Sequence, residues 1–270
     1  MSAYRKRNST SPIVLVLGIL VTVALVLGTC YAVYAHFHAE TFDKVTLCPS
    51  GGANGQYVVL IDNTSPFPFT QKVALKQRLR DMVLNKVPTG AMLTVFVLGE
   101  DFKHNEEPVF EKCSPGQWVD GEGMNKTKKF VDKDFNEKFA KPLEAVVNRI
   151  PLDVRGKASP IFEMLQLVSI RGFGHDKAKG DKTLIIYSDM AANTAEFTMY
   201  KNPQLNYKDF AKTAYVERVT APALENASVT INMMATEPSV TPYLKRSEFW
   251  AQYFSANKAS LDHVDPMEGL

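Results

Sequence analysis

Tyr57-Val58-Val59-Leu60-Ile61-Asp62-Asn63-Thr64-Ser65-Pro66 decides the fold. Tyr57 to Ile61 is an apolar run without polar alternation, the pattern of a strand buried on both faces. Such strands belong to parallel sheets covered by helices. The polar segment from Asp62 to Pro66 ends the run abruptly. In open parallel sheets, ligand sites lie at that carboxyl end of the strands.

Working outward, similar runs recur. Ala91 to Leu98 and Lys182 to Tyr187 read as buried strands, and Ser228 to Met234 alternates as a further strand. Pro108-Val109-Phe110 suggests a short edge strand ending near Cys113. Between the strands lie helical patterns. Lys72 to Lys86 places Val73, Leu75, Leu79, Met82 and Val83 on one stripe. Val131 to Ile150 is helical in spacing and should be interrupted at Pro142. Ser159 reads as an N-cap with Pro160 at the first helical position, opening a helix that runs to Arg171. Asp209 to Val219 forms another helix. Thr241 reads as the cap of a last helix carrying Leu244, Phe249, Trp250, Tyr253 and Phe254. Residues 260–270 show no pattern and read as a flexible tail. This order predicts an α/β domain with a mostly parallel central sheet and helices on both faces.

The N-terminus is of another kind. Ile13 to Ala35 holds no charged residue. At about 1.5 Å per residue it is long enough to cross a hydrocarbon core of about 30 Å. Arg5, Lys6 and Arg7 precede it, and no acidic residue appears before Glu40. The positive-inside bias then leaves residues 1–12 in the cytoplasm and exports the rest. The expected organisation is a transmembrane helix over 13–35, a stalk over 36–55 and a folded domain over 56–259. The domain would lie in the periplasm or outside the cell, with a bacterial inner membrane as the expected location. Two other readings stay open: a signal peptide cleaved after Val33-Tyr34-Ala35, and a lipoprotein using Leu27-Gly28-Thr29-Cys30. Both also export the domain.

Charge is nearly balanced beyond the basic N-terminus, which excludes a nucleic-acid face. There is no Gly-x-Ser-x-Gly elbow, and Gly172-Phe173-Gly174-His175 lacks the context of a nucleotide loop. An enzyme is not expected, and no small-molecule substrate is evident. Cys30 lies within the apolar span. Cys48 and Cys113 lie in the exported part, either as a disulfide or as two buried thiols.

Asp62 and Asp189 stand where two buried strands end, with Thr64 and Ser65 beside the first. Ser159 precedes a helix between them in sequence. Carboxylate and hydroxyl oxygens suit a hard cation such as Mg²⁺. The plainer reading makes the aspartates turn formers and helix caps.

From Gln56 to Ala259 the chain resembles the von Willebrand factor A domain family, the integrin inserted-domain fold. The resemblance rests on Val59 to Ser65, on Gly156-Lys157-Ala158-Ser159-Pro160 and on Tyr187-Ser188-Asp189. These match, in order, the family's three metal-site loops. The resemblance implies that Asp62, Thr64, Ser159 and Asp189 hold a divalent metal. It departs from the family at Pro66, where a serine is expected. The family topology also brings the end of the third strand near Cys113 to the sheet edge that carries Cys48, which supports the disulfide. What the resemblance implies in function is a membrane-anchored module that binds a protein partner, whose acidic residue would complete the metal's coordination. A metal-free structural subunit of an envelope-spanning assembly is the alternative, and a phosphohydrolase using the two aspartates the weakest. The stalk would join the first strand at the membrane-facing edge, so the aspartates would point away from the lipid.

Overall fold

The computed structural model describes residues 12–37, 41–104, 106–118, 127–175, 178–235 and 238–267. The chain divides into two compact units, Met1–Thr41 and Phe42–Leu270. The first contains helix α1, Pro12–Phe37. Its Val16–Tyr34 portion has a mean hydropathy of 2.4, and α1 is long and apolar enough to cross a membrane.

The second unit is an α/β domain. Its six-stranded sheet has the order β3-β2-β1-β4-β5-β6. Strands β1 (Gln56–Asp62), β2 (Met92–Leu98), β4 (Lys182–Ser188) and β5 (Ala227–Met233) run parallel. Strand β3 (Phe110–Cys113) is antiparallel to β2. Strand β6 (Ser260–Pro266) adds parallel to β5 at the other edge, with a bulge between Val229 and Thr230.

Both faces of the central strands are apolar, so both must be covered. One face presents Val58, Leu60, Leu184, Ile186, Val229 and Ile231. It packs on helices α5 (Ile161–Phe173) and α8 (Tyr243–Ala256). Gly172 permits this approach: a Cβ there would lie 2.7 Å from a Val58 methyl. Short helices α6 (Tyr207–Phe210) and α7 (Ala214–Arg218) add Phe210 and Tyr215 to an aromatic cluster centred on Phe162. The other face presents Val59, Ile61, Val95 and Tyr187 to helix α2 (Phe69–Asn85), α3 (Lys128–Phe135) and α4 (Lys141–Val147).

The interruption expected at Pro142 is present in an unexpected form. Between α3 and α4 the chain makes a π-helical turn over Asn136–Ala140. Pro142 has no N–H to donate to Lys138 O, and its ring crowds that carbonyl. The wider turn relieves the crowding, and Lys112 Nζ donates to the freed Lys138 carbonyl at 3.3 Å.

Four expectations are corrected. Residues 260–266 are a strand, not part of a flexible tail; β6 is a polar edge strand exposed over most of its length, so it carries no apolar signal. The helix expected over Asp209–Val219 is two short ones. Thr241 does not cap α8: its hydroxyl donates towards Met199 O at 2.6 Å and Asn202 O at 3.0 Å. Ser159 does not cap α5, which starts at Ile161 with Pro160 at the cap position. Cys48 and Cys113 form a disulfide that spans 65 positions of sequence.

Candidate functional site

The parallel register places Ile61 opposite Tyr187. The next residues, Asp62 and Ser188, therefore face each other, and Asp189 follows at once. Ser188 Oγ donates to Asp62 Oδ2 at 2.7 Å. The other oxygen, Asp62 Oδ1, accepts from the Thr64 amide at 2.9 Å and lies 2.7 Å from Thr64 Oγ1. This is an Asx turn. Thr64 Oγ1 in turn lies 3.0 Å from Ser159 Oγ.

Ser159 reaches this position because its backbone is bound elsewhere. It exchanges both amide bonds with Asn193, at 2.8 and 2.9 Å, in an isolated antiparallel bridge. Its hydroxyl, not spent on a helix cap, faces the first loop. Gly156 N donates to Thr64 O at 2.8 Å and fixes the two loops together.

Asp189 forms a second Asx turn, accepting from Ala191 N at 2.9 Å through Oδ1. Its Oδ2 accepts from Ser65 Oγ at 3.4 Å. Ser65, adjacent to Pro66, thus turns towards Asp189. All four sequence-predicted residues, Asp62, Thr64, Ser159 and Asp189, are buried and gathered in one cluster.

Burial pushes the Asp62 carboxyl up to about 6, and the neighbouring Asp189 charge adds to this. Donation from Ser188 and Thr64 opposes the shift but does not cancel it. Two carboxylates in a poorly hydrated site repel one another, and an added cation relieves them. The donors are all oxygen, as a hard cation requires. In the same turn Asn63 Oδ1 is buried without a hydrogen-bond partner among the described residues. Donor chemistry and charge therefore fit Mg²⁺, with hydroxyls indispensable: among the described residues no three His, Cys, Asp or Glu side chains are grouped to hold a metal.

No family model and no curated protein matches this chain. The site must accordingly be read from its own geometry. Sequence reasoning did not find two of its members. Ser188 reads only as a strand-ending part of the Tyr187-Ser188-Asp189 loop, with no role of its own. Arg246 lies on α8 with 2% of its surface exposed. Its guanidinium donates to the Asp189 carbonyl, and the Asp189 charge acts on it. Only its place opposite Asp189 in the fold marks it, and no local pattern does. A groove of about 720 Å³ between α2 and α4 includes none of these residues.

Proposed function

We propose that this chain is a membrane-anchored binding module of the von Willebrand A type. Helix α1 holds it in the membrane, and its domain recognises a protein partner on the non-cytoplasmic side. One observation carries the reading. Asp62 and Asp189 are buried together at the carboxyl edge of a parallel sheet, and both carboxylates accept from hydroxyl and amide donors. Strand order and the three contributing loops support the family assignment.

Asp62, Thr64, Ser65, Ser159 and Asp189 would hold Mg²⁺. When bound, the ion offers a partner's Asp or Glu carboxylate an electrophilic position. Ser188 keeps Asp62 oriented, and the Gly156–Thr64 bond keeps Ser159 in reach. The reading is of a binding module and assigns the cluster no catalytic step.

Calorimetry of the full chain in detergent micelles tests this. Mg²⁺ uptake should be measurable in the wild type and lost in Asp62→Ala, together with capture of the partner after cross-linking in cells. If Asp62→Ala keeps both properties, the metal-dependent reading is wrong.

A second reading has its own support. Pro66 offers no side-chain oxygen, and Arg246 brings a positive charge to Asp189 without any metal. A metal-free subunit of an envelope-spanning assembly would fit both. A complex that survives mild detergent together with chelator favours this reading over the first.

A further inference from the structure

Helix α8 is tied to the third site loop by two side chains one turn apart. Arg246 donates to the carbonyl of Asp189, and Trp250 Nε1 donates to the next carbonyl, Met190, at 2.9 Å. The spacing of four residues puts both donors on one helix face. Both side chains are buried: Arg246 is 2% exposed and Trp250 fully enclosed. A buried guanidinium is costly to place and needs a specific partner.

The loop that they hold is strained. Met190 has φ of 53°, left-handed backbone in a residue without glycine's freedom. Such a conformation persists only where its surroundings over-determine it. Here Met190 N donates to Ser188 Oγ at 2.8 Å, Ala191 N to Asp189 Oδ1 at 2.9 Å, and Asn193 N to Ser159 O at 2.9 Å. The two carbonyls that face α8 take the remaining bonds. Trp250 also packs at a tilt of 35° against Phe162 of α5, with centroids 4.8 Å apart, and α5 begins just after Ser159. One helix therefore braces two of the three site loops.

We propose that Arg246 and Trp250 are positioning residues: α8 uses them to lock the Asp189–Met190 turn, and so sets where the Asp189 carboxylate stands relative to Asp62 and Ser65. The proposal deepens the cation-binding reading in part, since the position of Asp189 matters most if Asp189 is a ligand. The lock itself is defined without a metal.

Hydrogen exchange on the full chain in micelles, without divalent ions, tests the lock. Trp250→Phe keeps a ring against Phe162 and removes only the donor. Arg246→Met removes the other donor, and Arg246→Lys restores one. Amides of Met190, Ala191 and Asn193 should exchange about tenfold faster in Trp250→Phe and Arg246→Met, the size expected for one buried hydrogen bond. Amides of β1 and α2 should keep wild-type rates, and Arg246→Lys should recover most of the protection. Unchanged exchange at the three amides overturns the proposal. So does an equal increase throughout the domain, which a merely structural role would give.

Calorimetry with Mg²⁺ then separates the two readings. An affinity about tenfold weaker in Trp250→Phe supports the lock as a setter of the site. Wild-type affinity in that variant overturns this role while the binding reading stands. If the wild type itself takes up no Mg²⁺, the metal reading fails, and local exchange alone decides the lock.

Discussion

The two ends of the same parallel strands are built on opposite principles. At the amino end, Cys48 and Cys113 are joined covalently, and Cys113 N donates to Thr46 O at 2.8 Å. The amides of Asn54, Gln56 and Met92 donate to the carbonyls of Gly90, Asp181 and Gly55, each at 2.9 Å. Nothing charged is buried in the small cluster of Ala53, Met92 and Cys113 there. At the carboxyl end, two carboxylates and a guanidinium are buried, and side-chain bonds at Asp62 and Asp189 add to the backbone bonds that hold the loops. One end adds stability, and the other loses some of it to keep charges in a fixed array. That contrast is the reason the proposed site is placed at the carboxyl end.

Four experiments break or sharpen the contrast. The largest effect should come from the amino end. Cys113→Ala with Cys48→Ala should cost about 4 kcal/mol, as loop-closure entropy for a ring of this size implies. Urea denaturation would show this, with Mg²⁺ affinity unchanged under conditions where the variant is folded. Gly180→Ala should cost about 3 kcal/mol. Gly180 has φ of 84°, and a Cβ there would lie 2.2 Å from the Asn54 carbonyl oxygen. A loss under 1 kcal/mol would mean the amino end yields more easily than its geometry implies.

The third effect should have the opposite sign. Asp62 stands at about 6 in the folded chain against 3.8 when unperturbed. Below the lower value the carboxyl is protonated in both states and neutral for stability. Above the upper value it is charged in both, and the folded state carries the full penalty. Stability should therefore fall as pH rises from about 4 to about 6. Asp62→Asn should gain about 2 kcal/mol at pH 7.5 in chelator, and the gain should shrink as pH falls through that range. Thermal melts at the two pH values read this, and a loss of stability at pH 7.5 would remove the penalty assigned to the site. The smallest effect belongs to Ser65→Ala. Its bond to Asp189 is 3.4 Å long and half-exposed, so stability should change by less than about 0.5 kcal/mol. Mg²⁺ affinity should still fall several-fold. If both quantities stay at wild-type values, Ser65 has no part in the site.

Much of this was legible in sequence because burial on two faces leaves uninterrupted apolar runs. Tyr57 to Ile61 and Thr183 to Ile186 are of that kind, and both lie in strands. Strand β6 was illegible for the converse reason: Ser260, Asp262, His263 and Asp265 face solvent and need no alternation. Asp62 and Asp189 were legible as carboxylates at strand ends, with the Thr64 hydroxyl beside the first. Ser159 was found for a partly wrong reason, since the cap it resembles is not made. Arg246 could not be found, because its partner is a backbone carbonyl that sequence does not mark.

The strand order carries a consequence for how the chain is made. Strands β1, β2 and β3 occupy one half of the sheet, and β4, β5 and β6 extend the other half in sequence order. Each strand synthesised after β3 joins a free outer border, first that of β1, then β4, then β5. No later strand has to be inserted between two already paired. The two cysteines both belong to the first half, so that half can be sealed before the rest has left the ribosome. Assembly can proceed by accretion, one border at a time, and Arg246 and Trp250, which come after β5 in the chain, are made after the turn that they brace.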